Sequence, residues 1–190
     1  MPFDLAWQAL DEPSLEHVIA SADSGGFRAD GQLVLVSDRG PARASYQLEC
    51  DARWRVRSLH VSVATAGETR TMTLEADGEG HWQRDGHPQP ALDGCIDVDI
   101  NRTPLTNTLP IRRLKLSPGQ ARGLDVVYVT VPELELRPVR QRYTRLDQPE
   151  PAYRYESGSF RADLPVDSDG FVMDYPRCWR RVGLGELAAR

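Results

Sequence analysis

Lysine is almost missing from this chain: 22 of its 23 basic residues are arginine, and Lys115 stands alone. Such a bias, in a chain also rich in Ala, Gly and Asp, points first to a GC-rich genome and second to bidentate recognition of anions by guanidinium groups. Surplus positive charge is missing too. The formal net charge is −5, which argues against generic nucleic-acid binding, since that needs a basic footprint. Long hydrophobic runs are absent. The longest, Leu33 to Val36 and Val126 to Val129, fall far short of the roughly 20 residues of a membrane-spanning helix. The first residues, Met1 to Gln8, carry neither a basic start nor an apolar stretch, so a cytoplasmic location is expected. Cysteine is scarce and odd in number. Cys50, Cys95 and Cys178 form no Cys-x-x-Cys, so neither a disulfide framework nor a zinc site is expected, only reduced and mostly buried thiols. His60, His81 and His87 lack metal-ligand spacing. Neither a Gly-x-Ser-x-Gly elbow nor a phosphate-binding glycine loop or dinucleotide fingerprint occurs. Hence no catalytic set, metal or cofactor is predicted.

What is present is alternation. Leu59, Val61 and Val63 alternate with His60 and Ser62; Met72 and Leu74 with Thr71, Thr73 and Glu75; Leu134 and Leu136 with Glu133 and Glu135; Phe160, Ala162 and Leu164 with Arg161 and Asp163. Period two places one face on a core and the other toward water or a ligand. Asp125 to Val131 is apolar on both faces and reads as a central strand. Turn chemistry separates the runs at Ser24–Gly26, Asp30-Gly31, Asp77–Gly80, Asp85-Gly86, Ser117–Gly119 and Asp167–Gly170. The predicted class is therefore all-β, with antiparallel sheets forming an open or split barrel and almost no helix. Pro13 to Ala20 fits a short helix or a strand, and Gly185 to Arg190 a terminal turn. His87 to Leu92 and Asn101 to Pro110 read as irregular loops.

At 190 residues, 40% hydrophobic and 27% charged, the chain supports a single domain over 1–190. A weak repeat, Leu-x-x-Asp-x-x-Gly at Leu74 and again at Leu164, is compatible with duplicated halves of about 1–100 and 101–190, or with two hairpins that converged on the same turn.

The residues that could carry chemistry cluster after Gly94. On a strand from Gly94 to Asn101, Cys95, Asp97, Asp99 and Asn101 share one face, with neighbours roughly 6.5–7 Å apart. Asp97 and Asp99 could work as acid and base, bind a metal, accept hydrogen bonds from sugar hydroxyls, or simply form a solvated polar face. Thr106 to Leu114 packs amide, hydroxyl and guanidinium groups, including Asn107, Arg112 and Arg113. A strand beginning at Ile111 would turn one arginine inward. A buried arginine needs a partner, either Asp97 or Asp99 or an anionic ligand group. Trp82, Trp179, Tyr153, Tyr155 and Tyr175 offer flat apolar faces for a sugar ring or acyl chain, or belong to the core.

Several strings taken together are more specific: Gly80-His-Trp82, Leu92 to Asp99, Thr106 to Leu114, Tyr128 to Pro132, Gln141-x-Tyr143 and Asp174-Tyr-Pro-x-x-Trp179. With them the whole chain resembles a bacterial glycolipid-binding family formerly catalogued as a domain of unknown function. The resemblance implies a β-rich domain of two related halves, analogous to the half-barrel carriers of lipoproteins. The expected function is non-enzymatic binding of a glycolipid or other amphipathic small molecule in a β-sheet concavity. Trp82, Tyr175 and Trp179 would contact ring or acyl surfaces, and Asp97, Asp99, Asn107, Arg112 and Arg113 would hold the polar head. The alternatives are an interaction protein, with a homodimer as one form, and a carboxylate-dependent hydrolase using Asp97 and Asp99.

Overall fold

The computed structural model describes residues 2–37 and 40–182; the expected terminal turn at Gly185 to Arg190 lies outside them. The fold is all-β, a large antiparallel sheet with a smaller sheet curled as a half-barrel. The large sheet is a meander. Strands β1 (Pro2–Ala9), β2 (Leu15–Asp23), β3 (Gly26–Ser37), β4 (Gly40–Asp51), β5 (Val56–Ala64), β6 (Thr69–Ala76), β7 (Trp82–Arg84) and β8 (His87–Pro88) follow one another in space as in sequence. The smaller sheet holds β9 (Asp97–Ile100), β10 (Ala121–Val129), β11 (Leu136–Arg145), β12 (Ala152–Ser157) and β13 (Phe160–Pro165). The chain then returns to the large sheet through β14 (Asp174–Tyr175) and β15 (Trp179–Arg181), which pairs with the open edge of β1. Among the described residues one strand pair is parallel, β9 with β10. No described helix is long and apolar enough to cross a membrane.

Period-two patterning explains the layering. The inward rows of the large sheet, such as Phe27, Leu33 and Leu35 on β3 and Tyr46 and Leu48 on β4, pack against Val98, Ile100, Val127 and Val129 of the smaller sheet. The opposite face of the smaller sheet is apolar as well. Val126, Tyr143, Tyr155, Ala162 and Leu164 build a second cluster inside its curl, which is why β10 is apolar on both faces.

The turns have a common chemistry. Asp77 and Asp167 each accept backbone N–H bonds two and four residues on, at 2.6 and 3.1 Å and at 3.0 and 3.0 Å. The fourth residue is a left-handed glycine, Gly80 (φ 102°) or Gly170 (φ 84°). Asp51 makes the same turn, bonding Arg53 and Arg55, but the left-handed position is Trp54 (φ 63°). An L side chain there is strained by about 1–3 kcal/mol. Trp54 is held by stacking on Phe27 at 4.7 Å and by the Arg112 guanidinium at 4.9 Å.

Four sequence expectations need correction. Asp30-Gly31 is not a turn; Gly31 sits inside β3 opposite Tyr46, and a Cβ there would lie 2.1 Å from the tyrosine ring. The glycine makes room for a side chain instead of bending the chain. Leu134 does not belong to a strand with Leu136. It occupies a left-handed turn (φ 59°), with its N–H on the Thr130 carbonyl, and β11 starts two residues later. The strand expected from Ile111 is a helix, α1 (Thr108–Leu114), entered from a 3₁₀ turn at Leu105–Asn107, so the loop expected over Asn101 to Pro110 is helical in its second half. Pro110 falls in its first turn, where a missing N–H leaves no intrahelical bond unmade. His87 to Leu92 is likewise not irregular throughout, since it holds β8 and a 3₁₀ turn at Pro90–Leu92. Pro13 to Ala20 resolves as the start of β2.

Candidate functional site

The local pairing of β11 opens a cleft. Only Arg142–Arg145 of β11 pair with β12, because β12 ends at Ser157 and the first half of β11 runs on past the β12–β13 turn. A cavity of about 680 Å³ fills the gap, lined by the Arg137–Arg140 and Ser157–Phe160 segments and by Asp99, Asn101, Thr103, Asn107, Tyr128, Tyr155, Tyr175 and Trp179. Of the eight residues expected to hold the head or the ring and acyl surfaces, four line the same cleft: Asp99, Asn107, Tyr175 and Trp179. The other four do not.

Those four have structural surroundings. The Trp82 indole is buried and donates to the Cys95 carbonyl at 2.8 Å. The Asp97 carboxylate is fully buried and accepts from Arg113 through Nε at 3.1 and 3.2 Å and through Nη2 at 2.6 Å. Burial pushes Asp97 upward from its ordinary value, against the opposing pull of Arg113. Arg112, one residue earlier and so about 100° around the helix, points away to Trp54. A strand would also have separated the two arginines, but the helix lets Arg113 reach β9 and Arg112 reach the Asp51 turn.

Asp99 is two residues beyond Asp97 on the same face of β9, and its surroundings differ. It accepts from Gln141 Nε2 at 2.5 Å, from Thr106 Oγ1 at 3.3 Å and from the Tyr155 hydroxyl at 3.5 Å. All three donors are neutral. Burial raises its carboxyl above the usual range, and these bonds offset the rise only in part. The network continues outward. Tyr143 donates to Asn107 Oδ1 at 3.0 Å and lies 3.5 Å from Gln141 Oε1, so the amide of Asn107 is oriented at the cleft wall. Edge-to-face contacts link Tyr143 to Tyr155 (5.4 Å) and Tyr155 to both Phe160 (6.0 Å) and Tyr175 (6.1 Å).

Sequence reasoning missed Tyr128, Arg137, Gln141 and Phe160 as neighbours of this site. Counting by two from Gln141, which shares a face with Tyr143, reaches Arg137, so that signal was available once β11 was placed correctly. It also missed Glu16, which faces the core between the two sheets. Glu16 is fully buried and accepts from Tyr46 and Thr103 hydroxyls, both at 2.7 Å. Burial pushes its pKa up to about 8. The period-two register of β2 puts Glu16 in line with Val18 and Ala20, which was the legible clue. Among the described residues no cluster of three His, Cys, Asp or Glu side chains is arranged to hold a metal.

A family model described as "Putative glycolipid-binding" matches residues 4–181. A crystal structure of a DUF1089 family protein from Pseudomonas aeruginosa is similar, with 42% sequence identity and a TM-score of 0.80 over 88% of this chain and 92% of that one. No curated protein matches the chain.

Proposed function

The chain belongs to the family described as "Putative glycolipid-binding", and from that premise we propose that it is a non-enzymatic protein that binds an amphipathic ligand, such as a glycolipid, in the cleft beside β11. The observation that carries this reading is the mixed lining of one cavity. Aromatic faces from Tyr155, Phe160, Tyr175 and Trp179 stand beside the polar groups of Asp99, Asn101 and Asn107, in about 680 Å³. Small-molecule sites have this size and this pairing of apolar walls with a few polar anchors. Asp99 and Asn107 hold the head, and Tyr175 and Trp179 face ring or acyl surface. Asp97 supports binding over two-carboxylate hydrolysis, because it is sealed under Arg113 and the cleft presents Asp99 alone. Trp82, Arg112 and Arg113 are assigned to the scaffold. A cytoplasmic location completes the proposal; three unpaired cysteines suit a reducing compartment.

Native mass spectrometry of the purified protein, followed by thermal shift against a panel of alkyl glycosides, tests it. A bound amphiphile, or a shift lost in Trp179→Ala, supports the reading; no adduct and no shift sink it. A second reading, self-association without a small ligand, has one observation in its favour. Leu15 and Val34 pair on the outer face of the large sheet with Ile19 and Val36 nearby, all at least 41% exposed. Sedimentation of Leu15→Lys against the parent chain decides it.

A further inference from the structure

The charges around the cleft are separated in an ordered way. In the register of the smaller sheet, Asp99 on β9 stands opposite Tyr128 on β10, and Tyr128 opposite Arg137 on β11. Acid, aromatic ring and cation therefore form one row across three adjacent strands, on one face. At about 4.8 Å between strands, the outer two backbones are roughly 10 Å apart. The Arg137 guanidinium lies over the Tyr128 ring at 4.7 Å, and all three residues line the cavity.

Among the described residues, no opposite charge pairs with either end of the row. Among the described residues no Arg, Lys or His side chain pairs with Asp99, whose hydrogen-bond donors are an amide and two hydroxyls. Likewise, no described carboxylate pairs with Arg137. The surroundings show that this is local. Asp97, two residues away, has Arg113 at 2.6 Å, and Arg140, on the same cavity wall as Arg137, has Asp125 at 3.0 Å. An enclosed carboxylate without a counter-charge is unfavourable. A neutral sugar would supply hydroxyl donors that Asp99 already has and would leave both charges uncompensated. An organic ammonium would compensate Asp99. The cavity walls would also suit it, since Tyr128, Tyr155, Phe160, Tyr175 and Trp179 offer the ring faces that attract a desolvated cation.

Building on the proposed amphiphile-binding cleft, we propose that the ligand's head is zwitterionic, with an ammonium group held against Asp99 among the aromatic walls and an adjacent anionic group, such as a phosphate, at the rim on Arg137. The row Asp99–Tyr128–Arg137 then reads the order of the two charges as well as their presence.

Dodecylphosphocholine and dodecyl maltoside, both below their micellar concentrations and titrated calorimetrically into the full chain, separate this inference from the broader reading. The probes share the alkyl chain and carry no net charge, so only the head differs. The phosphocholine amphiphile is expected to bind about tenfold or more tightly than the maltoside, the range of a desolvated cation–aromatic site. Asp99→Asn should remove that preference. Phe160→Leu, on the partly exposed hairpin, keeps apolar bulk and should reduce the preference without touching the polar network. Equal affinities, a preference for the maltoside, or a preference that survives in Asp99→Asn overturns the zwitterion and leaves amphiphile binding standing. Binding of neither probe overturns both. A urea midpoint for each variant identifies any loss that comes from unfolding, in which case Phe160→Leu alone decides.

Discussion

Asp97 and Asp99 occupy the same face of one short strand, yet they belong to two different regions. Around Asp97 the structure is closed: α1 lays Arg113 across the carboxylate, which is fully buried. Around Asp99 the structure is open on one side, where β11 runs on past the end of β12, and the donors are neutral. The difference teaches that a buried acid acquires its role from what neutralises it. One carboxylate holds the helix to the sheet. The other has spare acceptor capacity and uncompensated charge facing a cavity.

The sharpest way to break the contrast is to take away the cation of the closed region. Arg113→Ala strands a fully buried carboxylate, and a loss of about 3–5 kcal/mol is expected in urea unfolding. The double variant with Asp97→Asn should recover part of that loss, since the orphaned charge is gone. Glu16 supplies a second closed acid, and one with no cation. Its folded pKa, about 8, lies above its ordinary 4.5. The folded state therefore binds the proton more tightly, so the stabilisation is complete below pH 4.5 and is lost as pH rises through 8. A fall of roughly 5 kcal/mol across that window is expected in the parent chain; Glu16→Gln should flatten it. A Glu16→Gln profile as steep as the parent's would assign the slope to other groups. Gly31→Ala should cost about 1–3 kcal/mol by driving a methyl into the Tyr46 ring that supports Glu16; thermal unfolding measures it. In the open region the expected change in stability is smallest. Asp99→Asn should stay within about 1 kcal/mol of the parent at neutral pH, because no ion pair is broken. A loss as large as that of Arg113→Ala would mean that Asp99 is a closed structural acid after all.

The sheet was readable from residues such as Val61, Met72 and Leu164, whose alternation survives as inward rows. The errors came where one residue type serves two geometries. Gly31 looked like a turn because glycine so often bends the chain, but Tyr46, 15 residues later, needed its missing side chain. Pro110 looked like a strand boundary and proved to be a first-turn helix residue. Half of the candidate site was legible in the same way. Asp99, Asn107, Tyr175 and Trp179 were drawn from polar or aromatic strings, whereas nothing local to Tyr128, Arg137 or Phe160 marks them as site residues, and they join the site through strand register and the turn of the β12–β13 hairpin.

The amino-acid sequence by itself determined the class of fold, the face that Asp97 and Asp99 share, and the turns at Asp77 and Asp167, because these follow from a two-residue period and from side chains bonding backbone within four residues. Tertiary structure alone decided which aspartate is neutralised and which faces a cavity. That choice rests on contacts between segments 16 to 56 residues apart in the chain, Arg113 with Asp97 and Gln141 and Tyr155 with Asp99, and no local pattern encodes where a distant cation will land.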